Sequence, residues 1–180
     1  MNSDLSFLLD PVTYTPLQLF DDSCLVSKSG RKFSIVNAIP RFVSKENYAS
    51  AFGFQWSQFP KTQLDSHTGV CLSEARLARC MQGHLSDVKG KMVLEAGSGV
   101  GRFTEILLKH GAMVHSFDYS DAVDANAANN GHGDQLTLIQ ADIRQMPFPK
   151  VHYDYVICLG VLQHTPKPEE SINLLWGMLK

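Results

Sequence analysis

The chain has 180 residues, 44% of them apolar and 19% charged, with a formal net charge of −2. That composition suits one ordinary soluble globular domain with an appendage and excludes a disordered tail. It offers no basic excess for a nucleic-acid partner, and no apolar run approaches the roughly 20 residues of a membrane span.

The start, MNSDLSFLLDP, has no basic stretch and carries Asp4 and Asp10, so it does not read as a secretory signal. Residues 1–65 are rich in aromatics and prolines, with a strand-like KFSIV at 32–36 and a breaker at Pro40. They read as an accessory segment ahead of a domain over residues 66–180. The cysteines, Cys24, Cys71, Cys80 and Cys158, are scattered without a Cys-x-x-Cys spacing. Reduced thiols of a cytoplasmic protein are expected, and no metal site.

From residue 70 onward, strand-like runs alternate with helical patterns. SEARLARCMQ (73–82) reads as a helix, KMVLEAG (91–97) as a buried strand, and RFTEILLKHG (102–111) as a helix stopped by Gly111. AMVHSFD (112–118) is a second strand, and SDAVDANAANNG (120–131) a weak helix with Ser120 as its N-cap. QLTLIQAD (135–142) and YDYVICLG (153–160) are the third and fourth strands. The closing helix, 168–180, has Ile172, Leu175, Trp176 and Leu179 on one face. Such alternation predicts an α/β fold with a parallel sheet and right-handed crossovers.

The chemistry begins at VLEAGSGVGRFTE (93–105), where a strand breaks into Gly97, Gly99 and Gly101. Glycines there let the main chain turn and bring a helix N-terminus close to a ligand. A dinucleotide fingerprint wants a small residue at 102, which is Arg102, and a P-loop would need Gly-Lys-Ser/Thr. Glu95, two residues before the first glycine, would repel a pyrophosphate but suits a cationic ligand. Asp118 ends the second strand, where a carboxylate can accept both hydroxyls of a ribose. Asp142 ends the third strand beside Ile143, and the two offer an acceptor and an apolar wall to an adenine. LGVLQHTPKP (159–168) leaves the fourth strand on the same sheet edge, where open α/β sheets bind ligands.

With these motifs in order over about residues 91–180, the chain resembles the class I S-adenosylmethionine-dependent methyltransferases of the small-molecule, type 11-like branch. The resemblance implies a Rossmann-like sheet in the order 3-2-1-4 for the four strands, with the family's C-terminal strands missing. It implies S-adenosyl-L-methionine as cofactor and a small-molecule or saccharide methyl acceptor. By the same resemblance, Glu95, Gly97, Ser98, Gly99 and Gly101 would border the methionine part. Asp118 and Tyr119 would hold the ribose, Asp142 and Ile143 would flank the adenine, and Leu159 would offer its main chain to the amino group. Leaders of related enzymes can carry a zinc ribbon before a stretch like IPRFV, but here Cys24 alone remains, which again speaks against a metal.

Other residues keep two readings. His164 could act as general base toward an acceptor hydroxyl or simply shape the loop. Phe54 and Trp56, in FGFQW, could cap cofactor and substrate or serve packing. Arg76 and Arg79 could meet the cofactor carboxylate or lie on a solvated helix face. The remaining histidines read as surface residues. A fourth strand without an outer neighbour predicts self-association through its open edge. The competing functional reading is a non-catalytic cofactor-binding module.

Overall fold

The computed structural model describes residues 5–44 and 61–180, and Phe54 and Trp56 lie outside them. Two sheets organise the described chain. The first is an antiparallel meander of β1 (Leu17–Asp21), β2 (Cys24–Ser27), β3 (Lys32–Val36) and β4 (Ile39–Pro40), in that order. The second is parallel and built from β5 (Met92–Ala96), β6 (Met113–Asp118), β7 (Leu136–Gln140) and β8 (Tyr155–Ile157), in the spatial order β7-β6-β5-β8. Helices α1 (Asp65–Thr68) and α2 (Leu72–Cys80) precede β5. Helices α3 (Arg102–Lys109), α4 (Ala122–Asn130) and α5 (Pro168–Trp176) follow β5, β6 and β8. Among the described residues, no helix is long and apolar enough to cross a membrane.

The side-chain period of two sends alternate residues of the parallel strands to opposite faces. Val93, Val114, Leu136 and Leu138 pack on one face with Leu77 of α2 and with Phe103, Ile106 and Leu107 of α3. Leu94, Phe117 and Ile139 pack on the other with Leu175 of α5 and with Leu8, Leu17 and Leu25 of the N-terminal segment. Both faces are covered, which is why these strands read as nearly continuous apolar runs.

The N-terminal meander also closes an edge. The Phe42 N–H donates to the Gln140 carbonyl at 2.8 Å, and Arg41 forms a parallel bridge with Gln140, so the chain after β4 runs alongside β7. Arg41 fixes this join with bonds to Gln140 Oε1 (3.2 Å) and Asp124 Oδ1 (2.7 Å). Ile39 is fully buried against the helical face of the parallel sheet. Ile39→Ala is therefore expected to lower stability by about 3 kcal/mol, the usual cost of deleting a fully buried isoleucine side chain. Urea denaturation measures this, and a loss of only a few tenths would mean that the meander is not part of the cooperative unit.

Three local expectations need correction. The last helix ends at Trp176, not at Lys180, because the chain turns at Gly177 and returns beside the start of β8. There the Tyr153 N–H donates to the Met178 carbonyl and the Lys180 N–H to the Tyr153 carbonyl, both at 3.0 Å. The outer edge of that strand is thus partly paired. The helix and the turn after it bury Ser171, Leu175 and Met178, one residue's rotation from the expected face, and leave Ile172 and Trp176 exposed. The N-cap position of α4 is Asp121, although the Ser120 hydroxyl still accepts the Ala122 N–H at 3.2 Å.

His115 is not a surface residue. It is buried on β6, stacked on Phe7 with ring centroids 4.0 Å apart and bonded through Nδ1 to the Tyr153 hydroxyl at 2.9 Å. Burial, and then the nearby His152, hold it down to about 4. It therefore stays neutral at physiological pH and serves the apolar face as an aromatic with one satisfied polar atom.

Candidate functional site

At the carboxyl edge of the parallel sheet lies a cavity of about 300 Å3. Its wall is built from the turns that leave four strands in succession: Gly97–Val100 after β5, Asp118–Ser120 after β6, Ala141–Ile143 after β7 and Leu159–Val161 after β8. His164, Thr165, Gln63, Arg102 and Phe103 complete it. Of the residues expected at the site, Gly97, Ser98, Gly99, Asp118, Tyr119, Asp142, Ile143, Leu159 and His164 line this one cavity.

The glycine turn is shaped by close approach. Gly97 has φ +77°, and a Cβ added there would lie 2.3 Å from Cγ2 of Val161, so the β8 exit loop packs directly on the β5 turn. Gly101 has φ +87° and starts α3. It faces inward toward Asn126 and Asn130 and is not part of the cavity wall.

Glu95 departs from expectation in the same way. It is 1% exposed, lies beneath the turn and does not line the cavity. The Thr104 hydroxyl donates to its Oε2, and so does the Ser116 hydroxyl at 2.9 Å. Asn126 joins this cluster by donating to Thr104 Oγ1 at 2.9 Å, and Asn130 donates to the Gly101 carbonyl at 3.0 Å. Burial pushes Glu95 up to about 7; the two hydroxyls oppose the shift and the charge of Asp118 adds to it. The negative charge beneath the turn therefore grows as the pH passes neutrality. The cluster ties α3 and α4 to the turn and sets its shape from below.

Asp118 is held at the mouth of the turn. The Gly99 N–H donates to Oδ2 at 2.8 Å, while the Ser120 N–H and hydroxyl donate to Oδ1 at 2.8 and 2.7 Å. Oδ1 thus accepts two bonds and Oδ2 one, so the open acceptor site is on Oδ2, and the carboxylate is aimed before any ligand arrives. Asp142 is engaged more fully: the Arg144 guanidinium forks onto both its oxygens, with Nη2 at 2.6 Å from Oδ2. An adenine amine would have to share Asp142 with Arg144.

Sequence reasoning missed Arg102, Val161, Gln63 and Thr165 as parts of the wall. Arg102 was legible only as a departure from a fingerprint, and Val161 had no signal beyond following Gly160. Arg76 and Arg79 do not line the cavity. No cluster of three or more potential metal ligands occurs among the described residues.

The donor set fits a nucleoside with a cationic tail. At the turn, the buried Ser98 Oγ has no hydrogen-bond partner among the described residues and can accept from or donate to a ligand. Asp118 supplies an acceptor at the next strand.

Comparison with known proteins agrees with this geometry. Residues 94–180 match the type 11 family described as a methyltransferase domain. The ubiquinone biosynthesis O-methyltransferase of Coxiella burnetii is 33% identical over 95 residues, covering 52% of this chain and 41% of that protein. The magnesium-protoporphyrin O-methyltransferase of Synechocystis is 34% identical over 90 residues, covering 47% of this chain and 38% of that protein. The chain thus spans less than half the length of these curated relatives. Among solved structures, magnesium protoporphyrin IX methyltransferase from Synechocystis with bound S-adenosylhomocysteine aligns with a TM-score of 0.54. The identity is 24%, over 74% of this chain and 65% of that one, a likeness of fold.

Proposed function

We propose that the chain, whose residues 94–180 match a methyltransferase domain, is a class I S-adenosylmethionine-dependent methyltransferase that transfers a methyl group from that cofactor to a small hydroxyl-bearing acceptor. The observation that carries this reading is the one cavity that gathers the Gly97–Gly99 turn, Asp118, Asp142 and Leu159 from four successive strand ends. The similar proteins from Coxiella and Synechocystis are O-methyltransferases, which supports an oxygen acceptor. A saccharide belongs to the same proposal as one such acceptor.

When bound, the cofactor supplies a methyl group already activated by a sulfonium, so the protein's work is alignment and exclusion of water. The turn over 97–100 borders the methionine part, with Gly101 and Glu95 supporting it from below. Asp118, pre-aimed by Gly99 and Ser120, accepts the ribose hydroxyls, and Tyr119 stands beside it. Ile143 walls the adenine, Asp142 accepts from it, and the Leu159 main chain meets the amino group. His164, on the loop that follows β8, takes the proton from the acceptor hydroxyl.

Residues 1–65 form the accessory unit in this reading and residues 66–180 the cofactor domain. The scattered cysteines, without a Cys-x-x-Cys spacing, suit the reducing, cytoplasmic setting of this reading. Neither nucleic acid nor membrane is a partner, and the rest of the β8 edge is the surface for self-association.

Transfer of labelled methyl from S-adenosylmethionine to a panel of phenols and saccharides tests the proposal. Turnover with any acceptor supports it; cofactor binding without turnover on the panel favours a cofactor-binding module. Asp118→Ala is expected to weaken S-adenosylhomocysteine by about tenfold to a hundredfold, since a hydrogen bond to a charged group is worth about 1.5–3 kcal/mol. Calorimetry on the folded variant measures this, and an unchanged dissociation constant would remove Asp118 from the ribose site.

A further inference from the structure

We propose that Arg102 is the receptor for the α-carboxylate of the cofactor, with Arg76 as its supporting charge. The inference rests on the cofactor reading above and adds the residue that recognises the amino-acid end.

The cavity separates its charges. Asp118 and Asp142 stand after β6 and β7, at the nucleoside end, whereas Arg102 follows the glycine turn at the other. Among the described residues that line the cavity, Arg102 is the sole arginine or lysine. It is also unneutralised. Its guanidinium has no ion pair and no hydrogen bond among the described residues, although the residue is half-buried. The nearby acids are engaged elsewhere: Asp65 accepts the N–H groups of Ser73 and Glu74, both at 2.9 Å, and Glu95 holds Thr104 and Ser116 beneath the turn.

A neighbouring ring lies beneath the guanidinium. Arg102 lies over Phe103 at 4.5 Å from the ring centroid, and Arg76 approaches the same ring at 6.0 Å. Two cations converge on one aromatic that itself lines the cavity. Burial, and then the Arg76 charge, hold Arg102 below its usual range, although the charges of Asp65 and Glu95 oppose the shift. A partly desolvated guanidinium without a partner costs free energy that an incoming carboxylate recovers, most fully through a bidentate fork. S-adenosylmethionine carries one anionic group, its carboxylate, on the methionine end that the turn over 97–100 borders.

The test compares S-adenosylmethionine with its decarboxylated form, which keeps the sulfonium and the amine. Both are titrated by calorimetry into the wild type, Arg102→Gln and Arg102→Lys. The wild type is expected to prefer the intact cofactor by roughly tenfold to a hundredfold. Arg102→Gln should lose that preference while binding the decarboxylated form as before, and Arg102→Lys should keep part of it. Should Arg102→Gln fail to fold, the partial preference of the lysine variant decides the question. Equal weakening of both ligands would make Arg102 structural and overturn the proposal, as would an undiminished preference in Arg102→Gln. A wild type that binds neither form would instead overturn the cofactor reading itself.

Discussion

Gly101→Ala is expected to cost about 4 kcal/mol of stability and to abolish measurable cofactor binding. The glycine has φ +87°, where a Cβ is penalised by about 1–2 kcal/mol. The added carbon would also lie 2.1 Å from Oδ1 of Asn126 and 2.3 Å from Nδ2 of Asn130. Neither neighbour can yield cheaply. Asn126 is fully buried and bonded to Thr104, and Asn130 holds both Asn126 and the Gly101 carbonyl. Displacing them breaks the cluster around Glu95 and leaves buried polar atoms unpaired, at about 1–3 kcal/mol each. Gly90→Ala is the control. It has φ +69° with nothing within 4 Å of the added carbon, so it reports the backbone cost alone. Denaturant melts of the two variants should differ by about 2 kcal/mol or more. Equal losses would mean that the asparagines rearrange freely.

The second large effect concerns Glu95 and pH. Its ordinary value is 4.5, and burial in the folded chain raises it to about 7. Between these values the folded protein keeps a proton that the unfolded chain has released, so stability falls as pH rises. The contribution is fully present below 4.5 and is lost as pH passes 7. Each pH unit between the two values is worth about 1.4 kcal/mol, so the window holds about 3 kcal/mol at most. Glu95→Gln, neutral at every pH, should remove this slope and be more stable than the wild type at pH 8. Urea denaturation of the ligand-free protein at pH 5 and pH 8 checks both statements. A variant with the wild-type slope would mean that Glu95 is ionised throughout.

Where sequence and structure agree, the reason is local. Strands covered on both faces must be apolar along their length, so VLEA and LTLIQ announce themselves. The sharp turn after β5 uses glycines at positive φ, and Asp118 and Asp142 stand at strand ends beside one cavity. Where they diverge, the deciding contacts are distant in sequence. Glu95 reads as a ligand-facing carboxylate beside a turn, yet the hydroxyls of Thr104 and Ser116 draw it inward. His115 reads as a surface histidine until Phe7, far away in sequence, stacks on it. The join of Arg41 and Phe42 to Gln140 combines main-chain pairing with Arg41 side-chain bonds to residues more than 80 positions away, which no local pattern announces. The Arg144 fork on Asp142 is the exception, a contact two residues apart that only a rotamer decides.

The match of residues 94–180 to a methyltransferase domain, and Arg102 where a dinucleotide fingerprint wants a small residue, favour S-adenosylmethionine over a dinucleotide. A side-by-side calorimetric titration with S-adenosylhomocysteine and NAD tests this most directly. We expect S-adenosylhomocysteine to bind with one site per chain and NAD to give no saturable heat. NAD binding as tightly as S-adenosylhomocysteine, or more tightly, would contradict the account.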